Sequence, residues 1–211
     1  MLDITLGFIL SYLIGSFPTA YLVMRASGGG DLRTEGSGNI GARNAYEVSG
    51  KKLIGIVVLV IDVAKGALPT LYLTSHPERI YLLPYVIVGL VLGHCYSIWI
   101  KFHGGRGLAT AAGILSIVGP IFIAVWLIFY AFSMLVRKNV HLQAFLATFG
   151  AMLIELILYA DHISLVYLPM TGQIFVVQVH YAIIVIAAIV ISRFIGPANE
   201  EFKNIRDRQR A

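Results

Sequence analysis

Charge is scarce in this sequence. Only 13% of its 211 residues are Asp, Glu, Lys or Arg, against about 25% in an ordinary soluble domain. With 58% hydrophobic residues and a mean hydropathy of +0.81, a water-soluble globule is excluded. Cysteine is nearly absent too: Cys95 stands alone, so neither an intramolecular disulfide nor a cysteine metal motif can form, and this thiol reads as a small core residue. The six histidines, His76, His94, His103, His141, His162 and His180, lack metal-ligand spacing such as HExxH, and no metal or other cofactor is expected. No internal repeat or pair of broken helices is apparent, which favours one membrane domain over 1–211 and weighs against a small anion transporter. No basic region precedes the first apolar segment, and that segment is too long for a signal-peptide core, so a retained span is expected. Ser37 lies in Gly36-Ser37-Gly38 without a GxSxG pattern and is no nucleophile elbow.

What is abundant is long hydrophobic runs, at about 4–24, 53–73, 80–100, 108–136, 140–160 and 174–194, each long enough to cross a hydrocarbon core of about 30 Å as a helix. The fourth is interrupted by Gly119-Pro120, and proline ends helical hydrogen bonding, so two helices at about 107–118 and 120–136 are predicted. The expected fold is an all-α integral membrane bundle of seven transmembrane helices, with the N-terminus outside and the C-terminus cytoplasmic. Charge supports that count. Fourteen of the 16 Lys and Arg residues then share one face, Arg79 and Lys65 being the others, whereas six helices would move Arg137, Lys138 and all later cations to the opposite side. Because the basic residues lie between spans, the net charge of +5 reflects sidedness and not nucleic-acid binding.

Two polar loops fall on the cytoplasmic face, 25–52 and 101–107, together with the tail 193–211. Lys101-Phe102-His103-Gly104-Gly105-Arg106-Gly107-Leu108-Ala109-Thr110 joins glycine turns, two cations and a helix start, the ingredients of a phosphate cradle. Glycines at close helix contacts and basic loops marking the cytoplasmic side are the competing explanation. Loop 25–52 alternates glycine with polar residues from Gly36 to Asn44, with a flexible connector as the alternative. Asp62 and Lys65 are three apart and form one intramembrane pair, either clamping helices or orienting an anion. His94 is either a buried hydrogen-bonded side chain or a substrate contact. Glu155 is an intramembrane acid awaiting a basic or amide partner.

Over nearly its whole length the sequence resembles the acyl-phosphate-dependent glycerol-3-phosphate acyltransferase family of bacterial membrane enzymes. The likeness rests on Gly36-Ser37-Gly38-Asn39-Ile40-Gly41-Ala42-Arg43-Asn44, Gly50-Lys51-Lys52, Asp62-Val63-Ala64-Lys65-Gly66, and Gly93-His94 leading into the 101–110 stretch. The resemblance implies transfer of a fatty acyl group from acyl phosphate to glycerol 3-phosphate, giving lysophosphatidic acid for phospholipid synthesis, by a monomer in the bacterial inner membrane and without a cofactor. It implies catalytic roles for Ser37, Lys101 and Arg106. It implies substrate binding by Gly38, Asn39, Gly41, Arg43, Asn44, Lys65, His94, Gly104, Gly105, Gly107, Thr110, His141, Arg193 and Asn204. Three positions depart from the family pattern. Glu47 stands where an arginine usually helps hold glycerol 3-phosphate, with Arg43 one turn earlier as a substitute. His141 replaces a usual serine, and Arg193 lacks its usual His and Asn neighbours, Asn199 and Asn204 lying downstream. A relative with another acceptor, or without activity, is the alternative.

Overall fold

In the computed structural model, residues 1–136, 139–160 and 173–210 are described, and for 136, 159–160, 173–175, 198 and 200–210 the backbone alone. Arg137 and Lys138 lie outside the described residues, and Asn204 is described only as a helical position. The described residues form α1 (Leu2–Ser16), α2 (Thr19–Ala26), α3 (Ala42–Ser49), α4 (Lys52–Thr74), α5 (Leu83–Cys95), α6 (Leu108–Val118), α7 (Pro120–Val136), α8 (Val140–Ala160) and α9 (Gln173–Arg210). Short 3-10 segments at Pro77–Leu82 and Ile98–Ile100 flank α5. Five segments have the length and hydropathy to cross a bilayer, Leu2–Ala26, Lys52–Thr74, Pro77–Ile100, Val140–Leu158 and Val176–Pro197, and two shorter apolar helices lie between the third and fourth.

The break at Gly119-Pro120 falls where proline chemistry puts it: α6 ends at Val118 and α7 begins on Pro120, a residue suited to the first helical position. The same chemistry acts once more, inside the first apolar run. Pro18 has no N–H and drives Phe17 to an extended ψ of 116°, so the expected single helix divides into α1 and α2. Breaking a helix in an apolar setting strands carbonyl oxygens. Here Lys65 Nζ donates to Gly15 O at 3.2 Å and Phe17 O at 2.9 Å, and Ser97 Oγ donates to Ser16 O. Asp62 Oδ1 lies 2.9 Å from the same ammonium and neutralises it.

Close packing rests on small residues, as expected where lipid supplies no hydrophobic contrast. A methyl on Gly93 would lie 2.1 Å from Tyr12 O of α1, and one on Gly66 would lie 2.1 Å from Thr110 O of α6. The main apolar core gathers Leu83, Ile87, Leu90 and Val91 of α5 with Ile114 and Val118 of α6 and Val179, Val190 and Phe194 of α9. A second cluster, including Met24, Leu32, Ile40, Ala45 and Val58, fixes loop 25–52 against α2 and α4.

Candidate functional site

Loop 25–52 is folded on itself by one buried amide. Asn44 Nδ2 donates to Leu32 O, Glu35 O and Asn39 O at 3.0 to 3.2 Å, while its Oδ1 accepts the Ser37 N–H at 2.9 Å. This uses the hydrogen-bonding capacity of Asn44 for architecture, and turns Asn39 and Gly41 towards the bundle. Gly41 caps α3, whose first turn carries Arg43. Arg43 Nε donates to Glu47 Oε1 at 2.7 Å, so the family-deviant acid engages the proposed substitute cation.

Loop 101–107 reverses through two non-glycine residues with positive φ, Lys101 at 55° and Phe102 at 60°, a costly geometry for residues carrying a Cβ. It then returns along the end of α5, with Gly104 N–H donating to Cys95 O at 3.1 Å and Gly105 N–H to His94 O at 3.0 Å. Neither glycine admits a side chain. A methyl on Gly104 would be 2.1 Å from His94 O, and one on Gly105 would be 2.2 Å from His94 Nε2 and 2.7 Å from Ile40 O. The last contact shows that the two glycine loops meet. Gly107, at φ 85°, starts α6. Arg193 of α9 clamps this loop: Nε donates to Gly105 O at 3.3 Å and Nη2 to Gly104 O at 3.2 Å, with its guanidinium 5.1 Å from the Tyr96 ring centre.

A cavity of about 410 Å³ opens at these loops. Its polar end carries Asn39, Arg43, Arg106 and His141, and it continues between α6, α7, α8 and α9 along Leu115, Phe122, Trp126, Thr148, Met152 and Glu155. Arg106 lies over the Phe194 ring at 5.0 Å and its Nη1 is hydrogen-bonded to His141 Nδ1. Burial first, then the charges of Arg193 and Arg43, lowers the Arg106 pKa to about 10. The guanidinium therefore stays charged at neutral pH while held among other cations, a cost that a bound anion offsets.

The sequence-selected residues divide into three groups. Asn39, Gly41, Arg43, His94, Arg106, Gly107 and His141 line the cavity. Gly104, Gly105, Arg193 and Asn44 shape its rim through the backbone contacts above. The remainder are elsewhere: Ser37, Gly38 and Lys101 are exposed and do not line it, Thr110 is buried at the α4–α6 contact, and Lys65 spends its N–H groups on the α1–α2 break. Asp62 and His94 reach both regions, His94 Nδ1 lying 3.8 Å from Asp62 Oδ1. Glu155 has the basic partner anticipated for it, accepting from His180 Nδ1, both side chains being buried. Sequence reading missed Phe194 and Tyr96 as aromatic shelves for the two arginines. It also missed the rest of the α8 wall beyond His141, although His141, Ala144, Thr148, Ala151 and Glu155 recur at helical spacing.

The model of the glycerol-3-phosphate acyltransferase family matches residues 5–199. The chain belongs to that family. A glycerol-3-phosphate acyltransferase of Syntrophotalea carbinolica is 44% identical over 131 residues, which cover 61% of this chain and 64% of the relative. One from Myxococcus xanthus is 49% identical over 119 residues, covering 53% and 58%, and one from Latilactobacillus sakei is 35% identical over 167 residues, covering 76% and 77%. The chain thus spans somewhat less than two thirds of the first two relatives. Among solved structures, the glycerol 3-phosphate form of PlsY, an integral membrane glycerol 3-phosphate acyltransferase, superposes with a TM-score of 0.76 at 29% identity, covering 95% of this chain and 92% of that one. Its lysophosphatidic acid form gives a TM-score of 0.74 at 28% identity. Like that family member, this chain is a multi-pass membrane protein.

Proposed function

We propose that this protein transfers a fatty acyl group from acyl phosphate to glycerol 3-phosphate, yielding lysophosphatidic acid. The observation that carries this reading is the cavity's division into a cationic mouth and an apolar interior. An acyl phosphate has the same division, a dianionic head on a hydrocarbon tail. It is also a mixed anhydride, already activated, so no covalent enzyme intermediate is needed. The acceptor hydroxyl oxygen bonds to the acyl carbon, the bond from that carbon to the phosphate oxygen breaks, phosphate leaves with the electron pair, and the hydroxyl proton passes to the departing phosphate. The protein's tasks are to align the two substrates and to stabilise charge on the departing phosphate.

Arg106, held by Phe194 and His141, is assigned to the donor phosphate, and Arg43 with Asn39 to the acceptor. His94 faces the same space and is assigned to the acceptor side. Gly104, Gly105 and Gly107 keep the loop narrow enough for its backbone to approach the phosphate, with Arg193 holding it from behind. Ser37, Gly38 and Lys101 are assigned to the outer rim, where they meet substrate on entry. The same reading includes seven membrane crossings, an outer N-terminus, a cytoplasmic C-terminus and a monomer in the bacterial inner membrane. The one-sided distribution of cations supports the crossing number and the orientation.

The test is purified protein supplied with palmitoyl phosphate and glycerol 3-phosphate, followed by lipid analysis. Lysophosphatidic acid is expected, and phosphate release without an ester would overturn the assignment. The Arg43–Glu47 pair favours one rival, a less anionic acceptor, and a panel of free and phosphorylated alcohols separates the two.

A further inference from the structure

We propose that the Glu155–His180 pair is the floor of the acyl groove and sets the longest chain the donor can carry. This rests on the acyl-phosphate reading of the cavity. The wall of α8 is one stripe, His141, Ala144, Thr148, Ala151 and Glu155, all lining the same cavity. It starts beside Arg106 at the cationic mouth and ends, among the described residues, at Glu155. Fourteen helical residues rise about 21 Å. The opposite wall on α9, from Phe194 to Ile183, rises about 17 Å. An extended alkyl chain advances about 1.25 Å per carbon, from a C–C bond of about 1.52 Å at a near-tetrahedral angle. The groove therefore takes about 13 to 17 carbons.

The chemistry at its end differs from the walls. Ala144, Ala151, Met152, Leu115, Phe122 and Ile183 present hydrocarbon, whereas Glu155 and His180 are hydrogen-bonded to each other and buried. A longer chain must part a buried, hydrogen-bonded polar pair or turn away from the groove's end. Shorter chains do neither. Small residues nearer the mouth, Ala144 and Ala151, keep the path open.

The experiment measures phosphate release and ester formation by the full-length protein with saturated acyl phosphates of about 12 to about 20 carbons, with binding read in parallel from the melting temperature; the expected wild-type result is a fall of at least about tenfold beyond about 17 carbons. Ala151→Phe raises the floor by about one turn and should shorten the cut-off by about four carbons. The double variant Glu155→Ala with His180→Ala removes the polar pair from the groove's end and should extend the cut-off. A wild-type profile without a cut-off, or a cut-off unmoved in both variants, overturns the proposal. If phosphate release or binding shows the cut-off while no ester to glycerol 3-phosphate forms, the floor stands and the acceptor assignment falls. Ester formation indifferent to chain length gives the reverse.

Discussion

Arg43 occupies the first turn of α3, where the helix dipole is positive and a cation is disfavoured. Glu47, four residues on, is its counterion at 2.7 Å, and both side chains are about half exposed. Such i,i+4 pairs contribute only about 0.3 to 0.5 kcal/mol, so Arg43 is easily recruited by a stronger anion. Glu47→Gln should therefore lower KM for glycerol 3-phosphate a few-fold with little change in kcat or melting temperature, read from steady-state kinetics. An unchanged KM would place Arg43 outside the acceptor site. Arg106 differs because it is partly buried among cations. Inorganic phosphate is expected to raise the melting temperature of the wild-type protein. Arg106→Gln should melt higher than wild type without phosphate, respond less to it, and lose about 10- to 100-fold in kcat/KM, as for removal of a charge-assisted hydrogen bond of about 1.5 to 3 kcal/mol. The sign with pH follows from a folded-state pKa below that of the unfolded chain. The cost of holding the guanidinium is fully present below about 10 and is relieved as pH rises above it. Donor binding through Arg106 is accordingly insensitive to its titration near neutrality and weakens above about pH 10. Arg43 and Arg106 stood out in the sequence because cations close to glycine are conspicuous in so apolar a chain, and His141 through the family resemblance alone; all three line the cavity. The aromatic shelves were not, because Tyr96 and Phe194 are two of many membrane aromatics and only tertiary packing distinguishes them.

At the scale of helices, the most consequential element is the divided first span. Its cause was visible as Pro18, yet the run from Ile4 to Met24 reads as uninterrupted when hydropathy alone is followed. The role of Lys65 was hidden for the same reason: its partners are backbone carbonyls of another segment, and a sequence carries no sign of which carbonyls a break will strand. Lys65 donates to Gly15 O and Phe17 O and lies beside Asp62, which leaves it a fastener of α1 and α2 on α4. Lys65→Met leaves Asp62 uncompensated and those carbonyls unpaired, at about 3 to 5 kcal/mol for the broken buried pair. A melting temperature lower by about 10 °C is expected, with KM for both substrates nearly unchanged in whatever protein remains folded. A variant of wild-type stability with a raised KM would instead return Lys65 to the binding site. The α6–α7 break, by contrast, was legible to the residue, since Gly119-Pro120 offers neither a helical N–H nor a helical conformation for the residue before it.

For the whole molecule, apolar runs and charge placement together specify much of the architecture, because lipid allows few alternatives to the helix. The two loops that build the cavity mouth were recognisable from composition, but their meeting at Gly105 and Ile40 required the three-dimensional packing of α3, α4 and α5. The proposed topology can be examined through single cysteines, since the native Cys95 is buried and gives little background labelling. Gly119 is itself buried, so the exposed neighbour Ile121 is the better reporter for the α6–α7 break. With seven crossings, Glu78→Cys and Ile121→Cys should react with an impermeant maleimide added to intact cells, whereas Ser37→Cys should react only after the membrane is opened. With six, residue 121 would lie in mid-bilayer and label from neither side, and the later loops would exchange compartments. Labelling of Ser37→Cys and Ile121→Cys from the same side would therefore defeat the seven-crossing arrangement. It would also separate the two ends of the cavity differently across the bilayer, leaving no reason for an acyl chain to run from Arg106 at the inner leaflet towards Glu155.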